Sequence, residues 1–155
     1  ISIVLHVLFS LQILYYIVPI KSDDTWVGWE ELALATEELQ DKYPNTFVFS
    51  EDNYKTAACL NFFMEEKVYA QNVIGLPALH FDYLGDDMSD LNNKNALFID
   101  SDKRFKNKEK KGNYHPLLNN HFEKVTELTP IIIKINEKEV RKFWVFYCTN
   151  YQAKK

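Results

Sequence analysis

The sequence predicts an α/β fold: a small layered domain with a mostly parallel sheet and a C-terminal antiparallel hairpin, preceded by one transmembrane helix. Three observations predict it. Residues 1–20, ISIVLHVLFSLQILYYIVPI, contain no Lys, Arg, Asp or Glu, whereas all 18 basic and 22 acidic side chains follow. Residues 26–72 alternate helix-period and strand-like runs, the order that builds parallel pairing. Residues 130–150 hold two β-branched and aromatic runs separated by Asn136-Glu137-Lys138-Glu139, a natural hairpin.

The opening run matches the ~20 apolar residues needed to cross a hydrocarbon core. Thirteen of its twenty residues are Leu, Ile, Val or Phe, which favour insertion by about 4 to 8 kcal/mol before polar terms. Ser2, His6, Ser10, Gln12 and Pro19 reduce that gain without adding a fixed charge. A core helix of a soluble protein would show one polar face, and here the polar residues are scattered. A secretory signal is disfavoured, because no initiator Met, basic leader or small-x-small cleavage site precedes Lys21. The reading is a membrane helix over 1–20, the last span of a longer protein, and a soluble domain over 21–155. The flanks, Lys21 against Asp23 and Asp24, hold no basic excess, which places that domain outside the cytoplasm.

Within the domain, Lys21 to Asp24 read as a polar hinge. Trp29, Leu32, Ala33, Thr36, Leu39 and Tyr43 follow three-and-four spacing and predict a helix over 26–43, stopped by Pro44-Asn45. Thr46 to Ser50 predicts a strand. Ser50, Glu51, Asp52 and Asn53 suit a helix start, and residues 54–65 predict a buried second helix. Residues 67–72 predict a second strand. Gly75, Pro77 and Gly85 with clustered Asp and Asn mark loops to residue 95. Asn95 to Asp100 predicts a third strand, and residues 116–125 a short helix. The last two strands cover 130–136 and 139–150.

Composition narrows the function classes. A net charge of −4 argues against nucleic acid, which asks for a concentrated basic face. The one basic run, Lys103 to Lys111, is interrupted by Asn107 and Glu109 and reads as a solvated loop. With four Gly and neither GxGxxG nor GxxxxGK[ST], the common phosphate-cradling loops are excluded. Cys59 and Cys148 make no CxxC, and two thiols alone hold no zinc. They form either one disulfide or two buried thiols, and their apolar neighbours favour thiols.

Candidate chemistry is sparse. Asp100-Ser101-Asp102, at a predicted strand end, has the spacing to hold a divalent cation against a diphosphate. The plainer reading is a solvated turn. Asp86 and Asp87 carry the same alternatives. No pairing of His6, His80, His115 and His121 suggests zinc, and neither Cys has an adjacent His to activate it. Asp52 and Tyr54 open the second helix directly after the first strand, where open α/β sheets place ligands; the plainer reading is an N-cap.

The ordered landmarks resemble the C-terminal end of glycosyltransferase family 39 membrane proteins, of the lipid A aminoarabinose transferase and protein O-mannosyltransferase type. They begin with a membrane span and Gly28-Trp29-Glu30-Glu31-Leu32. They continue through Phe47-Val48-Phe49, Asp52-x-Tyr54, Ala57-Ala58 ahead of Phe62-Phe63, Val68-Tyr69, Asn72, Phe81-Asp82-Tyr83 and Asn95-Ala96-Leu97-Phe98. They close with Phe122, Glu127-Leu128 and Phe146-Tyr147. The chain departs from the pattern at Lys55, where relatives often carry Gln, and at Glu65-Glu66-Lys67, where they often carry a Gly-x-Pro turn. The resemblance implies a parent enzyme that takes a sugar from a polyprenyl-phosphate carrier and gives it to a lipid or protein acceptor. Its catalytic carboxylates would lie upstream of these residues, with any divalent metal. It implies a domain on the periplasmic side of the inner or plasma membrane, with Asp52, Tyr54, Asn72 and Asp82 as ligand contacts and no cofactor of its own. The alternatives are a membrane-tethered binding module without enzymatic activity and a nucleotide-sugar transferase using Asp100 and Asp102.

Overall fold

The computed structural model describes residues 2–18, 27–52, 54–102 and 115–153. The elements are α1 (Ser2–Tyr15), α2 (Trp29–Lys42), β1 (Thr46–Phe49), α3 (Lys55–Phe63), β2 (Val68–Tyr69), β3 (Asn95–Ser101), α4 (His115–Leu118), β4 (Phe122–Glu127), β5 (Ile131–Ile135) and β6 (Lys138–Tyr151). Three 3₁₀ turns, Gln71–Ile74, Leu79–Tyr83 and Met88–Leu91, connect β2 to β3.

The strands form one six-stranded mixed sheet in the order β2-β1-β3-β6-β4, with β5 also on β6. β1 pairs in parallel with β2 and β3, and β6 pairs antiparallel with β3, β4 and β5. Five strands therefore run one way and β6 alone opposes them, so the expected α/β class and C-terminal hairpin are present. β4 and β5 follow one another along the same side of β6, with Leu128 N–H donating to Val145 O at 2.9 Å between them. Pro130 cannot donate to a ladder, and the two strands are in effect one long edge interrupted there. The hairpin turn is Asn136-Glu137, with φ of 50° and 63°. Two successive residues at positive φ define the type I′ geometry that matches strand twist.

Strand alternation sends side chains to two cores. On one face Val48, Leu97, Ile99, Phe143 and Val145 pack beneath Leu32 and Ala33 of α2 and Ala57 and Leu60 of α3. The opposite face is aromatic. Phe49 lies 4.9 Å from Phe98 and stacks on Phe122 at 5.7 Å between ring centres. Val73, Ile74, Leu91 and Leu118 cover it, and the Tyr151 hydroxyl donates to Val73 O at 2.6 Å. Burial pushes the Tyr151 pKa up to about 12.

Two expectations are corrected. The helix expected over 116–125 ends at Leu118, and Phe122–Glu127 is strand. Leu118, Phe122 and Val125 fit helical spacing, but Asn119-Asn120 breaks the helix and pairing with β6 takes the rest. The opening run is also not one twenty-residue helix. α1 stops at Tyr15, and Tyr16 takes a left-handed φ of 46°. Gln12 ends the helix: its Nε2 donates to Val18 O at 2.8 Å and its Oε1 accepts from Val18 N–H at 2.9 Å. The side-chain amide thus replaces a backbone partner. Fourteen residues rise about 21 Å, short of the ~30 Å core. Among the described residues no helix is long and apolar enough to cross a membrane. The expected hinge over 21–24 and the basic run over 103–111 lie outside the described residues.

Candidate functional site

β1 ends at Phe49, and Ser50 carries the chain from its carboxyl end toward α3. Asp52 stands at the turn into that helix. Its Oδ1 accepts from Thr56 N–H at 2.9 Å and its Oδ2 from the Thr56 hydroxyl at 2.6 Å. A carboxylate here satisfies one of the free amides of the helix start and complements its dipole. Asp52 is buried, and both of its oxygens face its own helix. Its role is a cap.

Tyr54 follows and is 43% exposed, with its ring edge-on to His80 at 5.7 Å. His80 belongs to the Leu79–Tyr83 turn, and two residues expected to contact ligand brace that turn. Asn72 Nδ2 donates to Phe81 O at 3.2 Å, and Asp82 Oδ2 accepts from Ala78 N–H at 2.8 Å. Phe81 is the turn's buried anchor, packed in the same core as Ala57 and Leu60 of α3. A 3₁₀ helix has three residues per turn, so His80 and Tyr83 stand one turn apart along this segment. Tyr83 is 87% exposed. Leu79, also exposed, holds a φ of 52°, a conformation that costs an L-residue about 1–2 kcal/mol. The structure therefore brings Tyr54, Asn72 and Asp82 together around one turn, and Asp52 lies two residues from Tyr54. Sequence reasoning named His80 and Tyr83 but did not mark either as a ligand contact. Their signal was the spacing of three between an imidazole and a phenol.

Asp100 and Asp102 behave differently from a solvated turn. They are 5% and 8% exposed, and Asp102 N–H donates to Lys142 O at 2.9 Å. Among the described residues no three His, Cys, Asp or Glu side chains are grouped to hold a metal ion. Asp86 pairs with Lys67, and Asp87 accepts from Ser89 N–H at 2.8 Å to cap the Met88–Leu91 turn. The Ser89 bonds hold the Asp87 carboxyl below the usual carboxylate range.

Arg141, another residue that the sequence left unmarked, is 2% exposed on β6. Its guanidinium carbon lies 3.7 Å from the centre of the Trp29 ring and 4.8 Å from that of Phe143, a cation–π stack that ties α2 to the sheet. Cys59 and Cys148 are both free thiols. Burial raises the pKa of each, and at Cys59 the Arg141 charge opposes the rise.

No protein-family model, curated protein or solved structure matches the chain. Fold and site together define an α/β domain with an aromatic, carboxylate-flanked surface beside the start of α3, carried on an uncovered apolar helix.

Proposed function

We propose that the chain is the membrane-attached, extracytoplasmic part of an enzyme that transfers a sugar from a polyprenyl-phosphate carrier to a lipid or protein acceptor. The catalytic carboxylates lie outside these residues. The observation that carries the reading is the exposure of α1. Ile3, Val4 and Leu5 succeed one another at 100° around the helix and are 80%, 61% and 50% exposed. No side chain of α1 is buried. A protein groove covers one side of a helix; a continuous apolar medium covers all sides, and lipid is that medium. The transferase part of the reading rests on the sequence resemblance, whose landmarks fall on elements of the fold: Trp29 opens α2, Phe47-Val48-Phe49 lies in β1, Tyr54 abuts α3, and Asn95-Ala96-Leu97-Phe98 starts β3.

A membrane-tethered binding module is the second reading, favoured by the same helix and by the exposed Tyr54–His80–Tyr83 row. The burial of Asp100 and Asp102 counts against an open metal-diphosphate site. The test is photolabelling in native membranes with a photoreactive polyprenyl-phosphate sugar. The chain should be labelled, and unlabelled carrier should compete. Labelling that is absent or not competed would overturn the transferase reading.

A further inference from the structure

We infer that Tyr54, His80 and Tyr83 form a platform for a neutral sugar ring; the inference rests on the sugar-transferase reading and names which part of the ligand this surface takes. Tyr54 and His80 are in ring contact, and the exposed Tyr83 follows His80 by three residues, the length of one 3₁₀ turn. The row is exposed, yet its backing is fixed. Phe81 is buried beneath it, and Asn72 and Asp82 tie the turn down by side-chain bonds. Rigid aromatic faces lose little entropy when a ligand covers them.

The composition of the surface selects the ligand. A pyranose or furanose ring has an apolar C–H face and a rim of hydroxyls. An exposed tyrosine face meets the first, since its negative π-face attracts polarised C–H groups, while the His80 ring stands at 67° to that of Tyr54. The second needs donors and acceptors at the edge. The imidazole of exposed His80 offers one of each, and Asp82 Oδ1 has no protein partner among the described residues. An acyl chain would gain nothing from either group. Phosphate is disfavoured by charge: Asp82, Asp87 and Asp90 are exposed along the same segment and Lys67 is held by Asp86, against the Lys55 cation beside Tyr54. Like charges disfavour an anion here. The sugar, not its phosphate, meets this surface. The surface also lies beyond the carboxyl end of β1, the side on which open α/β sheets bind ligands.

Saturation-transfer NMR on the full chain in lipid nanodiscs, with a panel of neutral methyl glycosides as probes, tests the platform. At least one glycoside should receive saturation at its ring C–H protons. Tyr83→Ala and Tyr54→Ala should each weaken that binding about tenfold, while Leu34→Ala on α2 leaves it unchanged. Tyr83 is too exposed for its loss to unfold the domain, so a null effect there is interpretable. The platform is overturned by no transfer to any glycoside, by binding in the two Tyr variants that is unchanged from the wild type, or by displacement with inorganic phosphate. Carrier photolabelling without glycoside binding would remove the platform and leave the transferase reading. Glycoside binding without photolabelling would do the reverse.

Discussion

Replacing Gly28 by Ala should destabilise the domain through one identifiable contact. Gly28 precedes α2 at a φ of 83°, and a Cβ added there would sit 2.7 Å from Ile133 Cγ2 and 3.5 Å from Ile133 Cβ. Two costs combine. The left-handed backbone penalises Ala by about 1–2 kcal/mol, and forcing a methyl into an occupied core site by about 1–3 kcal/mol. Ile133 is 3% exposed on β5, so it cannot swing into solvent. The sum, about 2–5 kcal/mol, corresponds to a Tm lowered by about 5–20 °C in a domain of this size. Urea unfolding followed by Trp fluorescence gives the equilibrium value. The decisive measurement is a double-mutant cycle with Ile133→Ala, which removes Cγ2 and leaves only the 3.5 Å contact, an ordinary van der Waals distance. In that background Gly28→Ala should cost about 1–2 kcal/mol, the backbone term alone. A cost below 0.5 kcal/mol in the wild type, on the order of a surface substitution, would refute the reasoning. So would an identical cost in the two backgrounds.

Four further outcomes follow from the geometry. Glu137→Gly should stabilise the chain by about 1 kcal/mol in thermal unfolding, because Gly relieves a φ of 63° in a type I′ turn that favours Asn-Gly. Asp52→Ala should cost about 1–2 kcal/mol by the same method, through loss of the α3 cap. Tyr151, with its pKa raised to about 12, favours the folded state fully below its unfolded value near 10, and that contribution is lost as pH rises from about 10 through 12. Tyr151→Phe should flatten the alkaline limb of a stability–pH curve over that window. In thiol alkylation of the folded chain, buried Cys148 should stay unmodified until unfolding while half-buried Cys59 reacts slowly; equal rates would contradict the burial of Cys148.

Much of the layered domain was legible in the sequence because local pattern and tertiary role agreed. The α2 stripe from Trp29 to Thr36 is the buried face of that helix, and the Asn136 turn carried its own chemistry. Residues 116–125 misled because their apolar spacing fits a helix and an edge strand alike, and only the partner β6 decides between them. The twenty-residue apolar run misled for another reason. Hydropathy averages over Gln12, whereas the fold uses its amide to bond Val18 and end the helix. For the site, Tyr54 and the bracing residues Asn72 and Asp82 lay within reach of sequence reading. His80 did not, because its role depends on a turn 26 residues beyond Tyr54 in the chain. Arg141 was equally hidden: a cation in a strand looks solvated until the Trp29 ring is seen above it.

The lone reversed strand has a consequence for how the domain is made. β6 is the last strand in the chain, yet it lies between β3 on one side and β4 with β5 on the other. As the polypeptide leaves the ribosome, β1, β2 and β3 can assemble first, but β3 keeps a bare hydrogen-bonding edge until Phe143 to Cys148 arrive to meet Ser101 to Ala96. Such distant pairing is slow to form and leaves an open strand edge meanwhile. A ribosome that stalls before residue 138 would release an open-edged sheet, the kind of species that chaperones and proteases find first.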